Sequence, residues 1–299
     1  MKTVAGTMAF ITGGASGIGL GMARALAAQG ARIAVCDVRA DHLAQAAQVA
    51  ADEGWADRFR ALQLDVRDRD AFAAALDEAE AALGPLQILI NNAGIGIQGP
   101  VDEATYADWD WAIGVNLMGV VNGLVSGLPR IKAHGLGGHI VNTASQGAIM
   151  QARATRGVYA PTKAAVISMT EHLKLELDAK GSSMGGSSMG GSSMGGGAIG
   201  ATVVCPGPVR TNIEETEQHR PAEFQVDTPF RHRDETAPPG ALPPTAPGFW
   251  LDPLTVGEMT VDAILTGKLY VITHPAFIGS VKARHAGIEA AMAEDYLPR

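Results

Sequence analysis

The sequence predicts an α/β fold: a doubly wound, parallel, seven-stranded sheet with helices on both faces. Short runs that are apolar throughout alternate along the chain with longer segments of helical period. The apolar runs lack the in–out alternation of a half-exposed sheet, so both faces of the sheet are expected to be covered. A glycine-rich turn, Thr12-Gly13-Gly14-Ala15-Ser16-Gly17-Ile18-Gly19, leads from the first apolar run into the first helical segment.

The first strand is read at 8–12 and holds Met8-Ala-Phe-Ile11; the second, at 31–37, holds Ala31-Arg-Ile-Ala-Val-Cys36 and ends on Asp37. Further strands are expected at 60–65, 87–92, 138–145, 201–206 and 269–273. Helices are expected between them at 17–29, 41–52, 69–83, about 104–134, 158–180 and 255–267, with a last amphipathic stretch at about 276–293. Each crossover is right-handed by default. No linker divides the chain before residue 180, so residues 1–299 are read as one domain.

Two segments break the alternation. Residues 182–196 are three tandem copies of Ser-Ser-Met-Gly-Gly, with little side chain to bury and much backbone entropy to lose. They predict a flexible insertion, about 181–197, and their perfect repetition suggests an engineered loop, with natural low complexity as the alternative. It follows a helix and precedes a strand, which puts it at the end of the sheet away from the strand C-termini and outside any active site. The three repeat methionines, Met184, Met189 and Met194, are read as loop residues and not as soft-metal ligands. The second segment, about 212–252, is polar and Pro-rich and carries His219, Arg220, His232, Arg233 and Phe249-Trp250-Leu251. Its length without regular pattern predicts a substrate lid.

Bulk composition narrows the function. The chain has 299 residues, 46% of them hydrophobic and 18% charged, as a globular protein does. A net charge of −8 argues against nucleic acid as a partner. The two cysteines, Cys36 and Cys205, sit in apolar strands and read as buried thiols. The start of the chain leaves no room for a signal peptide, and no apolar stretch reads as long enough to span a bilayer. The expectation is a cytoplasmic protein with no membrane partner and no metal.

The chemistry lies in two groups of residues. The glycine turn allows backbone N–H groups to approach a pyrophosphate at a helix N-terminus. Asp37, eighteen residues past Gly19, stands where an acid would meet an adenosine ribose. Together they predict a dinucleotide site. Tyr159 and Lys163 share a helix face at i and i+4. An ammonium about 5 Å from the phenol is worth on the order of 3 kcal/mol, roughly two pKa units, toward a usable base. Ser145 closes the fifth strand and could hold a substrate oxygen against Tyr159. Asn116, in the long fourth-crossover helix, could anchor a water leading to Lys163.

These residues, with Asp65-Val66, Asn91-Asn92-Ala93-Gly94, Tyr159-Ala-Pro-Thr-Lys163 and Pro206-Gly207-Pro208-Val209-Arg210-Thr211, resemble the short-chain dehydrogenase/reductase family in order and placement across residues 8–211. The resemblance implies a single-domain Rossmann fold, a nicotinamide dinucleotide and an Asn116-Ser145-Tyr159-Lys163 catalytic tetrad. It implies that Gly13, Ser16, Gly17, Ile18 and Gly19 receive the pyrophosphate and that Asp65 and Val66 hold the adenine. Asn92, Ala93 and Gly94 line the ribose. Pro206, Gly207, Val209 and Thr211 lie at the nicotinamide, and Lys163, beside Tyr159, bonds its ribose. It further implies a homodimer or homotetramer built on the helices at 104–134 and 158–180.

The sequence departs from the family at three points: a Ser145-to-Tyr159 gap one residue longer than usual, the Ser-Ser-Met-Gly-Gly insertion, and the close Leu269-Tyr-Val-Ile-Thr-His-Pro275 in place of Asp-Gly-Gly. That close, with Trp109-Asp-Trp-Ala-Ile-Gly-Val-Asn116, is similar to bacterial dehydrogenases that oxidise the benzylic (Cα) alcohols of lignin-derived aryl ethers. Asp37 would bond both ribose hydroxyls of NAD and repel the 2′-phosphate of NADP, with Arg39 partly offsetting it. The expected activity is hydride transfer between NAD and a bulky or aromatic secondary alcohol or ketone, with Tyr159 as general acid/base. A non-catalytic NAD-binding regulator or scaffold is the competing class. A nucleotide-sugar epimerase or dehydratase would carry Gly-x2-Gly-x2-Gly, which this chain lacks.

Overall fold

The structure is a computed structural model that describes residues 1–184, 197–226, 246 and 248–292, with only the backbone for 180–184. Seven parallel strands form one sheet in the order β3-β2-β1-β4-β5-β6-β7. They are β1 (Met8–Thr12), β2 (Arg32–Asp37), β3 (Phe59–Gln63), β4 (Leu86–Asn91), β5 (Gly138–Thr143), β6 (Ile199–Cys205) and β7 (Tyr270–Ile272). The order reverses between β1 and β4, so a crevice opens beyond their C-terminal ends.

Alternate residues on each strand feed two separate cores. Ala9, Ile11, Ile33, Val35, Ile88 and Ile90 pack on one face with Met22 and Leu26 of α1 (Gly17–Ala28), Leu43 of α2 (Ala40–Asp52) and Val256 and Ile264 of α7 (Pro253–Thr266). Met8, Phe10, Ala34, Leu86 and Leu89 point the other way. They meet Phe72 and Leu76 of α3 (Arg69–Leu83), Ile131 of α5 (Gly119–Ala133) and Leu177 of α6 (Tyr159–Met184). That two-sided burial accounts for the unbroken apolar runs. Cys36 and Cys205 are buried thiols.

Helix ends follow local chemistry. Asp68 caps α3 by accepting from the N–H groups of Asp70 and Ala71. Thr105 and Asp108 form a capping box on α4 (Tyr106–Ile113). Asp252 caps α7, with Pro253 in its first turn and Gly267 left-handed at φ 71° beyond its end. α8 (Ile278–Met292) buries only Ser280.

The structure corrects several expectations. α4 runs without a break through a π-helical turn, Gly114–Met118, into α5. This helix, Tyr106–Ala133, is long and apolar enough by composition to cross a membrane, contrary to the reading that no stretch is. Here it lies against the sheet, with Val120 and Ile131 buried and Asn122 donating to the Val66 carbonyl at 2.8 Å. α6 ends at Met184 and not near 180, so the first repeat copy begins on a helix; residues 185–196, with Met189 and Met194, lie outside the described residues. The chain re-enters at the N-terminal edge of the sheet, where Gly197 N–H donates to Gly135 O at 2.7 Å and Gly138 N–H to Ala198 O at 3.2 Å. Both flanks of the insertion are therefore remote from the crevice.

His139, on β5, is 1% exposed, and burial pushes its pKa down to about 3. The unfolded chain then binds a proton that the fold refuses, so this contribution to stability is lost as pH falls from about 6.5 toward 3. Lowering pH from 7 to about 5 should remove about 2 kcal/mol through this residue. Urea unfolding should show that slope in the wild type and a slope smaller by one proton in His139→Gln; equal slopes would refute the assignment.

Candidate active site

A cleft of about 1020 Å³ lies along the C-terminal ends of the strands. At one end are Asp37 and Asp65, in the middle Ser16, Gly17 and Ile18, and at the other end Ser145, Tyr159 and Lys163. Gly13, Val66, Asn92, Ala93, Gly94, Pro206, Gly207, Val209 and Thr211 also line it. Gly19 and Asn116, of the residues expected here, lie behind its wall.

A hydrogen-bond clamp shapes the centre. Thr12 Oγ1 accepts from the N–H groups of Asn92 and Ala93 at 2.9 and 3.0 Å. The Asn92 amide donates to the carbonyls of Thr12 and Gly13, each at 3.1 Å, and its oxygen accepts from Thr143 at 3.2 Å. Gly13 has φ 57°, and a Cβ there would lie 2.8 Å from Ala93 Cα. A Cβ on Gly19 would lie 2.1 Å from Gly13 O, so Gly19 serves the packing of the turn. Ser16 is the N-cap of α1, but its hydroxyl donates to Asn212 Oδ1 at 3.4 Å and caps no helix N–H, and no acidic residue sits in the first turn. The dipole end and N–H donors of α1 are thus directed at the cleft.

At the far end, burial raises the pKa of Asp37, and backbone N–H groups including Arg39's at 3.1 Å oppose the rise. The Arg39 guanidinium pairs with Asp41 at 2.5 Å and donates to His219 Nε2. Burial raises Asp65 too, but Arg67, with its N–H, its guanidinium bonds and its charge, outweighs that and holds the carboxyl below its usual value.

At the chemical end, Lys163 is 3% exposed, and burial lowers its pKa to about 8. Its Nζ donates to the Thr143 carbonyl at 3.0 Å and lies 6.0 Å from the Tyr159 ring centroid. Burial raises the Tyr159 phenol, opposed by the Ser145 hydroxyl and the Arg156 charge. The expected lowering by Lys163 is absent because desolvation acts on both groups and the ammonium is aimed at Thr143. Ser145 Oγ also accepts from Gly147 N–H at 3.2 Å. Asn116 sits in the π turn with no exposure. Its amide accepts from Ile95 N–H at 2.8 Å and donates to Ile95 O and Thr162 Oγ1 at 3.1 and 3.3 Å. It fixes the loop after β4 against the first turn of α6 and does not open on the cleft. Among the described residues, no three His, Cys, Asp or Glu side chains gather as a metal site.

The expected lid divides. Residues 213–219 and 222–224 form 3-10 turns; residues 227–245 and 247, with His232 and Arg233, lie outside the described residues. Arg220 is turned away from the cleft: its side chain is 1% exposed, paired with Asp108 and Glu217 at 2.8 Å and stacked on Trp111. Arg67 adds a second tie at 3.0 Å to Glu223, with Phe224 under its guanidinium, and Gly96 N–H donates to Thr216 Oγ1 at 3.0 Å. Sequence reasoning missed these ties, whose partners lie far away in the chain. Phe249 is buried with Met150 and Phe277, and Trp250 packs on its edge at 5.4 Å between centroids.

With this geometry, the chain belongs to the short-chain dehydrogenases, the family whose model matches residues 7–222. It is an oxidoreductase. It is 36% identical over 276 residues to a C alpha-dehydrogenase of Sphingobium sp. strain SYK-6, covering 92% of this chain and 83% of that protein. The apo form of LigD from Sphingobium sp. strain SYK-6 matches 97% of this chain and 99% of its own at TM-score 0.73 and 32% identity. A short-chain dehydrogenase/reductase from Burkholderia phymatum, in complex with NAD, matches 100% of both chains at TM-score 0.81 and 29% identity.

The Arg220–Asp108 pair gives a test of the anchored segment. Arg220→Met leaves the Asp108 carboxylate buried without its counter-charge and should cost about 3 kcal/mol in urea unfolding. A loss under about 1 kcal/mol would mean that the segment is held by other contacts.

Proposed function

We propose that this protein transfers a hydride between NAD and a bulky or aromatic secondary alcohol or ketone. The observation that carries the reading is one continuous cleft with the glycine turn at its centre, the Asp37 carboxylate at one end and Ser145, Tyr159 and Lys163 at the other. The cofactor, when bound, supplies the hydride acceptor. Ser16, Gly17 and Ile18 would receive its pyrophosphate, and Val66 with Asp65 its adenine. Gly94, Val209, Thr211 and Lys163 would border its other half.

Ser145 holds the carbinol oxygen, and Tyr159 takes its proton on oxidation or returns it on reduction. Lys163 adds positive charge below the phenol while fixed to Thr143. Met150, Phe249, Trp250 and Phe277 form an apolar wall that suits an aryl group. The Sphingobium relative is named a C alpha-dehydrogenase, which accords with the Cα-alcohol dehydrogenases that this sequence resembles. Asp37 favours NAD, and Arg39, already paired with Asp41, offers little to a 2′-phosphate. The exposed Val125 and Leu175 support association through α5 and α6 into a dimer or tetramer.

NADH formation on benzylic secondary alcohols should be readily measured by absorbance and fall by about two orders of magnitude or more in Tyr159→Phe. Retention of activity in that variant would overturn the role of Tyr159. Asp37→Ala should raise the KM for NAD and lower that for NADP; an unchanged preference in steady-state kinetics would reject Asp37 as the discriminator.

A further inference from the structure

The sequence departs from its family at Leu269–Pro275, and the structure shows what this segment does. Thr273 and His274 lie just past β7, 6% and 5% exposed. Gly207 N–H donates to Thr273 Oγ1 at 2.8 Å. Thr273 Oγ1 lies 2.7 Å from His274 Nδ1, and His274 Nε2 lies 3.0 Å from Phe249 O. A carbonyl only accepts, so Nε2 carries the proton, Nδ1 accepts from the Thr273 hydroxyl, and one neutral tautomer satisfies every member. Burial keeps the imidazole on the neutral side, with the Phe249 carbonyl bond opposing. The Gln146 side chain, next to Ser145, accepts from His274 N–H at 3.1 Å and donates to His274 O at 2.9 Å. The imidazole also stacks on Phe277, with centroids 5.6 Å apart and planes at 19°. A Cβ on Gly207 would lie 2.5 Å from His274 Nδ1, so the turn rests directly on the ring.

We propose that the His274 imidazole is a positioning group that ties the Pro206–Val209 turn, through Thr273, to the Phe249–Phe277 wall, and so determines which alcohols the site accepts. The inference rests on the dehydrogenase reading above. The imidazole bonds Phe249 O through one nitrogen and the Gly207-linked Thr273 through the other, whereas Gln146, beside Ser145, is held by the His274 backbone, which substitution of the side chain leaves in place. Loss of the Nε2 bond frees the wall, and an aromatic substrate loses its resting surface. A small alcohol that does not reach the wall is unaffected. The effect therefore belongs in KM for large substrates, while the catalytic groups stay in place.

The test compares isopropanol with benzhydrol, whose two rings must meet the wall, in wild type, His274→Leu, His274→Gln and His274→Asn. Glutamine presents a donor near the Nε2 position and asparagine presents an acceptor near Nδ1. His274→Leu should raise the benzhydrol KM by about tenfold or more, with kcat changed by less than about threefold and isopropanol kcat/KM kept within about twofold. Glutamine should restore most of the benzhydrol KM, and asparagine should not. Thermal melting of each variant separates misfolding from the specific effect. Equal losses on both alcohols, or equal rescue by both polar variants, would overturn the inference. Wild-type turnover of isopropanol but not benzhydrol would instead overturn the bulky-substrate reading on which it rests.

Discussion

The cleft depends on the clamp between Thr12 and Asn92. One hydroxyl accepts two backbone N–H groups, and one amide returns two bonds to the opposite turn. These bonds join the ends of β1 and β4 where the strand order reverses. Thr143 extends the clamp to β5 through the Asn92 oxygen, and the carbonyl of the same Thr143 receives Lys163. The glycine turn and the Lys163 ammonium are thus referenced to one hydrogen-bonded unit. Each bond is individually modest, about 1 kcal/mol net, but all are at least partly buried, so a lost partner leaves a poorly solvated polar group behind.

Around this unit the structure adds cationic ties of a different kind. Arg67 joins the Asp65 carboxylate to Glu223 and Phe224, and Arg220 joins α4 to the same segment. Both guanidiniums combine a planar face on an aromatic ring with charged partners at the edge. The segment after β6 is therefore fastened along the Asp65 end of the cleft, and the aromatic wall at the Ser145 end is bonded separately through His274. The two ends of the cleft are held by distinct contacts.

The architecture was legible because a strand buried on both faces must be apolar throughout, and all seven strands appeared within a few residues of their predicted bounds. Asp37, Ser145, Tyr159 and Lys163 were legible from spacing combined with place in the fold. What escaped depended on burial or distance. The Tyr159 phenol moves upward because desolvation outweighs the Ser145 hydroxyl and the Arg156 charge, and no spacing reveals that the Lys163 ammonium points to the Thr143 carbonyl. The π turn at Asn116 leaves no periodic mark beyond Gly114 and Gly119 at its ends. Nothing in the polar stretch around Arg220 marks it as buried, since its partner Asp108 lies on α4, over a hundred residues earlier.

The junction after α6 has a consequence for how this chain tolerates change. The return into β6 is set by Gly135, Gly197, Ala198 and Gly138 through backbone bonds alone, at the edge of the sheet opposite the cleft. Neither bond involves a side chain. Doubling such a connection adds only about 0.6 kcal/mol of closure entropy. The crossover is therefore a permissive splice point: peptide tags, reporters or whole domains whose ends lie close together can be inserted there while the catalytic face keeps its register.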